Sequence, residues 1–402
     1  MPLPLTGPFA GLHVVDTDTH WSEPYDLWTS RAPAKYKDDV PQVRINPKDG
    51  RLAWFLKGER LLSAGGASFV NREGDKIPMQ NPDLTVGMSW DEIHEASYDV
   101  HARLEMMDKL GIWANIMYPN TIGFGAGRLV QLLDQDLGRM IVSLYNDAAA
   151  EFQSQSNGRF FPMAVIPFWD IEGSVAEVKR IKAMGMKGIT TSGNPHLGGL
   201  PDLGQPDWNP LWEAVIEAEL PVNIHILSTN YDAHAEASAA WPSLEKRAVK
   251  PVNSVQMELS NSRFISNIVV SDLLLNYPEL KFVSVESGLG WVPYVLERID
   301  FEYRETFKGI GEPTRPSAFE MFRRNVFCTF WFESGGPKLL LDYLGVDNVM
   351  WESDFPHPTC LYPSPIERTV EALRDLPHDS IRKIMQDNAV KLYKLDLPVE
   401  TN

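Results

Sequence analysis

Eight short apolar runs recur along the chain, and most turn polar or small only in their last residues. They are LHVVDTDTH (12–20), IWANIMYP (112–119), FFPMAVIP (160–167), MKGITTSG (186–193), PVNIHIL (221–227), LKFVSVES (280–287), VFCTF (326–330) and NVMWESD (348–354). Nearly unbroken apolar character suits parallel strands covered on both faces. Between most of them lie longer stretches with apolar residues at helical spacing: 128–155, 174–185, 209–219, 260–276, 291–307, 335–344, 364–375 and 378–393. Gly185 is a C-terminal stop for the second, and Asn209 with Pro210 reads as the N-cap and first turn of the third. Eight strands alternating with helices predict an α/β fold, a (β/α)8 TIM barrel and not an open doubly wound sheet. The glycine-rich turn of a dinucleotide fold is missing after the first run.

The first crossover breaks the rhythm. Residues 21–111 separate the first two strands, far more than a simple loop holds. Within them, 44–62 reads as a hairpin turning at Asp49-Gly50, and 97–111 resumes a helix. Residues 22–95 are therefore expected to be an inserted hairpin or lid, belonging to one domain that spans 1–402.

Composition narrows the function. Of 402 residues, 37 are Lys or Arg and 54 Asp or Glu, a net charge of −17. No basic cluster is present to meet phosphates, which argues against nucleic-acid partners. The two cysteines, Cys328 and Cys360, form no disulfide framework and fit a reducing cytoplasm. The N-terminus has no basic region followed by a long apolar run, and no window has the length of a membrane span. The expectation is a cytoplasmic protein without membrane contact, acting on a small molecule.

Barrel chemistry gathers at the C-terminal ends of the strands. The first run ends in Asp16, Asp18 and His20, spaced by two as a strand requires to aim them one way. The fifth carries His225, the sixth Glu286, and the eighth Asp354 with His357 just beyond. Carboxylates in apolar strands are costly unless paired or metal-bound. A cation at the barrel mouth would satisfy them together, and the oxygen-rich set leans to Fe, Mn or Zn. Each residue also has a plainer role. Asp16 can bind backbone amides at the strand end, His225 can be a satisfied core histidine, Glu286 can cap the following helix, and His357 can be a loop residue. His196 and His234 lie in loops on the mouth side, where substrate contacts fall.

The stretches VVDTDTHWSEPYDLW, RLEMMDKLGIWANIMYP, DWNPLWEAVIEAELPVNIHI, LKFVSVESGLGWVPYVLERID and NVMWESDFPHP resemble the amidohydrolase superfamily. The branch is the one with aminocarboxymuconate semialdehyde decarboxylase and the resorcylate decarboxylases. The resemblance covers most of the chain outside 40–95. It implies a divalent metal held by Asp18, His20, His225 and Asp354, and assembly as a homodimer or higher oligomer. It also marks a departure, since the family's strand-six histidine is Glu286 here.

Two chemistries stay open. One is hydrolysis or decarboxylation of a small, carboxylate-bearing substrate through metal-activated water or a metal-polarised carbonyl. Asp354 would then be the base, with His357 or Glu286 passing the proton. The other is a dinuclear Fe/Fe or Mn/Fe monooxygenase that hydroxylates a small substrate with O2. There Glu286 supplies a bridging or terminal carboxylate, and Asp16, Glu23 or His357 completes the second ion. One or two divalent ions are expected accordingly. A third reading, an inactive structural subunit, conflicts with so many buried carboxylates.

Overall fold

The computed structural model describes residues 2–78, 87–130, 134–228, 241–309 and 315–398. In chain order the strands are β1 (Val14–His20), β2 (Gln42–Ile45), β3 (Leu52–Leu56), β4 (Glu59–Ser63), β5 (Ile112–Tyr118), β6 (Phe160–Pro162), β7 (Ala164–Val165), β8 (Ile189–Thr190), β9 (Val222–His225), β10 (Phe282–Val285), β11 (Val326–Phe330) and β12 (Val349–Trp351). All eight expected apolar runs contain strand. β1 pairs in parallel with β5 and β5 with β6, while β7 through β12 pair in parallel in sequence order.

The third run is split, and the split joins the two sheets. Its first half, β6, pairs with β5, and its second half, β7, pairs with β8. At the break, the Met163 N–H donates to the Met117 carbonyl at 2.8 Å and the Ala164 N–H to Gly188 at 3.0 Å. On the far side the circle closes past the end of β12. There the Asp354 N–H donates to Asp18 O at 3.0 Å and the His20 N–H to Phe355 O at 2.7 Å. The result is the expected eight-stranded parallel barrel.

Two cores fill it. Val15, Ala114, Ile116, Phe161, Met163, Val283, Val285 and Met350 pack together inside the barrel. In the same cluster Tyr118 and Tyr393 both donate to Asn223 Oδ1, at 3.0 and 2.7 Å, a satisfied polar contact in the barrel interior. The second core joins strands to the surrounding helices through residues such as Val14, Ile141, Val178, Trp212, Phe264, Phe282 and Leu296. Each fully buried large apolar side chain contributes about 1.5–3 kcal/mol.

Helix ends depart from the sequence reading in two places. In the 128–155 stretch the described helix is Gln135–Ser154, where Asp134 Oδ1 accepts from the Leu137 N–H at 3.0 Å. Asn209 is the first helical residue and not a cap, because the chain enters from a short 3-10 turn over Pro206–Trp208. Gly185 does terminate the helix Ile171–Ala183, at φ +79°.

The 22–95 excursion holds a three-stranded antiparallel sheet, β2-β3-β4, in place of a single hairpin. The second reversal falls at Lys57-Gly58, both at positive φ. Trp54 of β3 meets Trp28 edge-on at 5.3 Å, and the Trp28 indole N–H donates to Ile141 O of a barrel helix. Farther on, the Phe69 N–H donates to Pro356 O at 2.8 Å, which ties the excursion to the loop after β12. Among the described residues no helix is long and apolar enough to cross a membrane.

Candidate metal centre

The ends of β1, β9, β10 and β12, with the loop after β12, bring six side chains together. Ligand-type atoms of Asp18, His20, His225 and Glu286 all lie within 4.8 Å of one another, as do those of His20, Glu286, Asp354 and His357. His225 Nε2 is 3.3 Å from Asp18 Oδ2 and 3.4 Å from Glu286 Oε2. His20 Nε2 is 3.4 Å from Asp18 Oδ1 and 3.7 Å from Asp354 Oδ1. Asp18, His20, His225 and Asp354 are 0% exposed, and the Glu286 side chain is 12% exposed. Glu286 and Asp354 sit at φ +53° and +61°, a conformation that costs non-glycine residues energy and recurs at functional sites.

Both oxygens of Asp18, Nε2 of His20 and Nε2 of His225 are buried without a hydrogen-bond partner, and Oδ1 of Asp354 meets only the His357 ring. Orphaned polar atoms of this kind are rare. Burial, then the charges of Asp354 and Asp16, push the Asp18 carboxyl well above its ordinary value. Burial, then Asp354, Asp18, Glu352 and Glu258, do the same to Glu286. Burial and the neighbouring His357 and His225 rings hold His20 well below the usual imidazole range, and burial takes His225 down to about 4. Neutral imidazoles facing crowded carboxylates form a donor set that a divalent cation satisfies. The His225 ring is oriented for it. Its Nδ1 lies 2.8 Å from the Ile226 carbonyl, which only accepts, so the Nε2 lone pair faces the cluster.

The other expected residues fall elsewhere. Alternation in β1 predicts Asp16 on the same face as Asp18 and His20, but the pairing register shifts between Asp16 and Thr19. Asp16 therefore lines the outer side of the strand with Arg103 and Met106, and accepts from the N–H and Oγ–H of Ser353. Glu23 is consumed by the loop after β5: it accepts from Asn120 N at 2.8 Å, Thr121 N at 3.1 Å and Thr121 Oγ1 at 2.9 Å. Of the three residues named for a second ion, only His357 stands in the cluster. His196 is exposed in a 3-10 turn after β8, and His234 lies outside the described residues.

His357 is held between Asp354 and Asn120. Nδ1 is 2.8 Å from Asp354 Oδ1, and Nε2 is 3.1 Å from Asn120 Oδ1, whose amide is oriented by donation from Nδ2 to Trp21 O. The His357 ring stacks on His20 with 3.7 Å between centroids. Several neighbours were not foreseen. Glu352 is fully buried beside Glu286 N, at 3.4 Å, with Oε1 unpartnered. Its place two residues before Asp354 was a readable strand signal. The Phe124 ring lies 4.0 Å from that of His225 and 5.0 Å from that of His20. Its loop is held because Gly125 approaches Thr191 too closely for any side chain, a Cβ there meeting the Thr191 carbonyl carbon at 2.6 Å. Lys250, half-buried on the helix Lys246–Leu259, brings a positive charge within electrostatic reach of Asp354 and Glu286. Nothing in the pattern of loop and helix residues marked either one.

The chain is 22% identical over 321 residues to the 2-amino-3-carboxymuconate-6-semialdehyde decarboxylase of Dictyostelium discoideum, covering 77% of this chain and 80% of that protein. It is 24% identical over 193 residues to the 2-keto-4-carboxy-3-hexenedioate hydratase of a Sphingobium species, 47% of this chain and about half (49%) of that relative. Among solved structures, an amidohydrolase of Mycobacterium avium subsp. paratuberculosis matches with TM-score 0.73 and 23% identity, covering 96% of this chain and 100% of that one. A 5-carboxyvanillate decarboxylase of Novosphingobium aromaticivorans, bound to manganese and 3-methoxy-4-hydroxy-5-nitrobenzoic acid, matches with TM-score 0.64 and 18% identity over 98% of this chain and 100% of that one. At these identities the structural likeness speaks for the fold. The sequence profile of the amidohydrolase family matches residues 134–395, more than half of the chain, and the protein is therefore an enzyme of the amidohydrolase family, the metal-dependent hydrolases and decarboxylases.

Proposed function

We propose that the protein is a metal-dependent decarboxylase of a small unsaturated or aromatic carboxylic acid. Asp18, His20, His225, Glu286 and Asp354 hold the cation, with manganese or zinc the expected ion. The observation that carries this reading is the set of buried, unpartnered donor atoms on Asp18, His20 and His225. A divalent cation bound there supplies Lewis-acid polarisation of a substrate oxygen.

The remaining chemistry belongs to the chain. Asp354, at the end of β12, is the group from which a proton reaches the carbon that bears the departing carboxylate. The C–C bond breaks, its electron pair stays with that carbon as the new C–H bond completes, and CO2 leaves. His357 Nδ1, 2.8 Å from Asp354 Oδ1, then returns a proton to Asp354. Phe124 excludes water from the imidazole side, and Lys250 offers a cation to the substrate's second polar group. Residues 22–95 act as a lid within a single domain. The oxygenase alternative gains no support, since Asp16 and Glu23 are committed elsewhere.

The test is a panel of hydroxylated benzoates and unsaturated dicarboxylates, 5-carboxyvanillate among them, with amides and lactones alongside, given to the Mn(II)-loaded enzyme. CO2 release, with one solvent deuterium incorporated per CO2, is the expected result. Turnover only of amides or lactones, with no CO2 from any acid, would replace decarboxylation by hydrolysis. A homodimer or larger assembly is also proposed, and sedimentation velocity measures it.

A further inference from the structure

Two fully buried charged residues, Arg103 and Asp16, stand outside the cluster yet grip the backbone that carries it. Arg103, on the helix Val100–Leu110, donates through Nε to Ala96 O at 2.6 Å, through one terminal nitrogen to Asn115 Oδ1 at 3.4 Å, and through the other to the His20 carbonyl. Its guanidinium lies 4.7 Å from the centre of the Phe355 ring. Asp16 accepts from both the N–H and the hydroxyl of Ser353. These contacts bracket the barrel seam. Asp354 pairs there with Asp18, and Phe355 with His20, through single backbone hydrogen bonds.

The seam needs such support. β1 changes register between Asp16 and Thr19, and Asp354 is held at φ +61°. A backbone in that region persists only where its surroundings over-determine it. Ser353 immediately precedes Asp354, so fixing its N–H and hydroxyl fixes the entry to that residue. Arg103 fixes the carbonyl of His20 and the ring that follows Asp354. The register shift that takes Asp16 off the cluster's face is what lets it do this.

We propose that Arg103, Asp16 and Ser353 are positioning residues behind the metal centre, and that they set its affinity for a divalent cation by fixing the backbones of His20 and Asp354. The proposal rests on the reading that the cluster holds such a cation.

The experiment is calorimetric titration of the full-length, metal-stripped chain with Mn(II), with the visible spectrum of the Co(II)-loaded protein as a second readout. Ser353→Ala removes one hydroxyl, and Asp16→Asn keeps the size while mismatching one of the two donors. Both are expected to weaken Mn(II) binding about 10- to 100-fold and to alter the Co(II) bands. A purely structural role would lower the melting temperature and leave the Co(II) bands of the folded protein unchanged. Wild-type affinity and wild-type bands in both variants would overturn the proposal, whatever their melting temperatures. Failure of the wild-type chain itself to bind Mn(II) would instead overturn the reading of the cluster.

Discussion

Replacing Asp18 by Asn should make the metal-free protein more stable and the metal-loaded protein less stable. Both Asp18 oxygens are buried without a hydrogen-bond partner, and Asp354 and Glu286 crowd the same space. An unsatisfied buried polar group costs about 1–3 kcal/mol, more when charged. Asn has nearly the same shape, is uncharged, and its amide donates to a neighbouring carboxylate. Unfolding entropy of about 2.1 cal/mol/K per residue gives roughly 0.8 kcal/mol/K for a chain of this length, so relief of 1–3 kcal/mol raises the melting temperature by about 1–4 °C. Wild type, in turn, gains about 4 kcal/mol, or about 5 °C, from Mn(II) at about 1,000 times its dissociation constant. The assay is differential scanning calorimetry with EDTA and then with excess Mn(II). A crossover is expected, with the variant melting above wild type in EDTA and below it in Mn(II). A variant that melts lower in both conditions would mean that Asp18 is a structural residue, satisfied in the absence of metal.

Other outcomes follow from the same geometry. Glu286→Ala is expected to lower Mn(II) content measured by elemental analysis, because Glu286 Oε2 lies 3.4 Å from His225 Nε2; unchanged content would reduce Glu286 to a helix cap. Glu23→Ala strips the acceptor from three donors in the Asn120–Thr121 loop and should destabilise by about 1–3 kcal/mol in urea unfolding, with metal content preserved. If Glu23→Ala loses its metal, Glu23 has been misplaced. His357→Gln should retain metal and lose about 10²- to 10⁴-fold in kcat with an accepted substrate, and activity near wild type would remove His357 from the proton path.

Much of the barrel could be read directly, because buried parallel strands announce themselves as apolar runs. The cluster was readable for a related reason. His225 and Asp354 interrupt apolar runs at the end where barrel sites form, and Glu286 does so at the close of LKFVSVES. What escaped notice depended on contacts distant in sequence. The break at Met163 exists because one half-strand pairs with β5 and the other with β8, and neither partner is visible locally. Alternation placed Asp16 beside Asp18, while a register shift, set by pairing with β5, turned it outward. Glu23 looked like a spare carboxylate because its partners are mostly backbone N–H groups, which no side-chain pattern reveals. The reversal at Lys57-Gly58 was within reach, since Gly after a polar residue between β-rich runs is a turn signal.

Metal stoichiometry tests the central claim most directly. The chain is stripped with chelator, reconstituted with Mn(II), freed of excess ion by gel filtration and analysed by elemental mass spectrometry, beside a His20→Ala/His225→Ala double variant. At least one tightly held equivalent per chain is expected in wild type and none in the variant. Wild type without metal, or a variant that keeps the full complement, would contradict it.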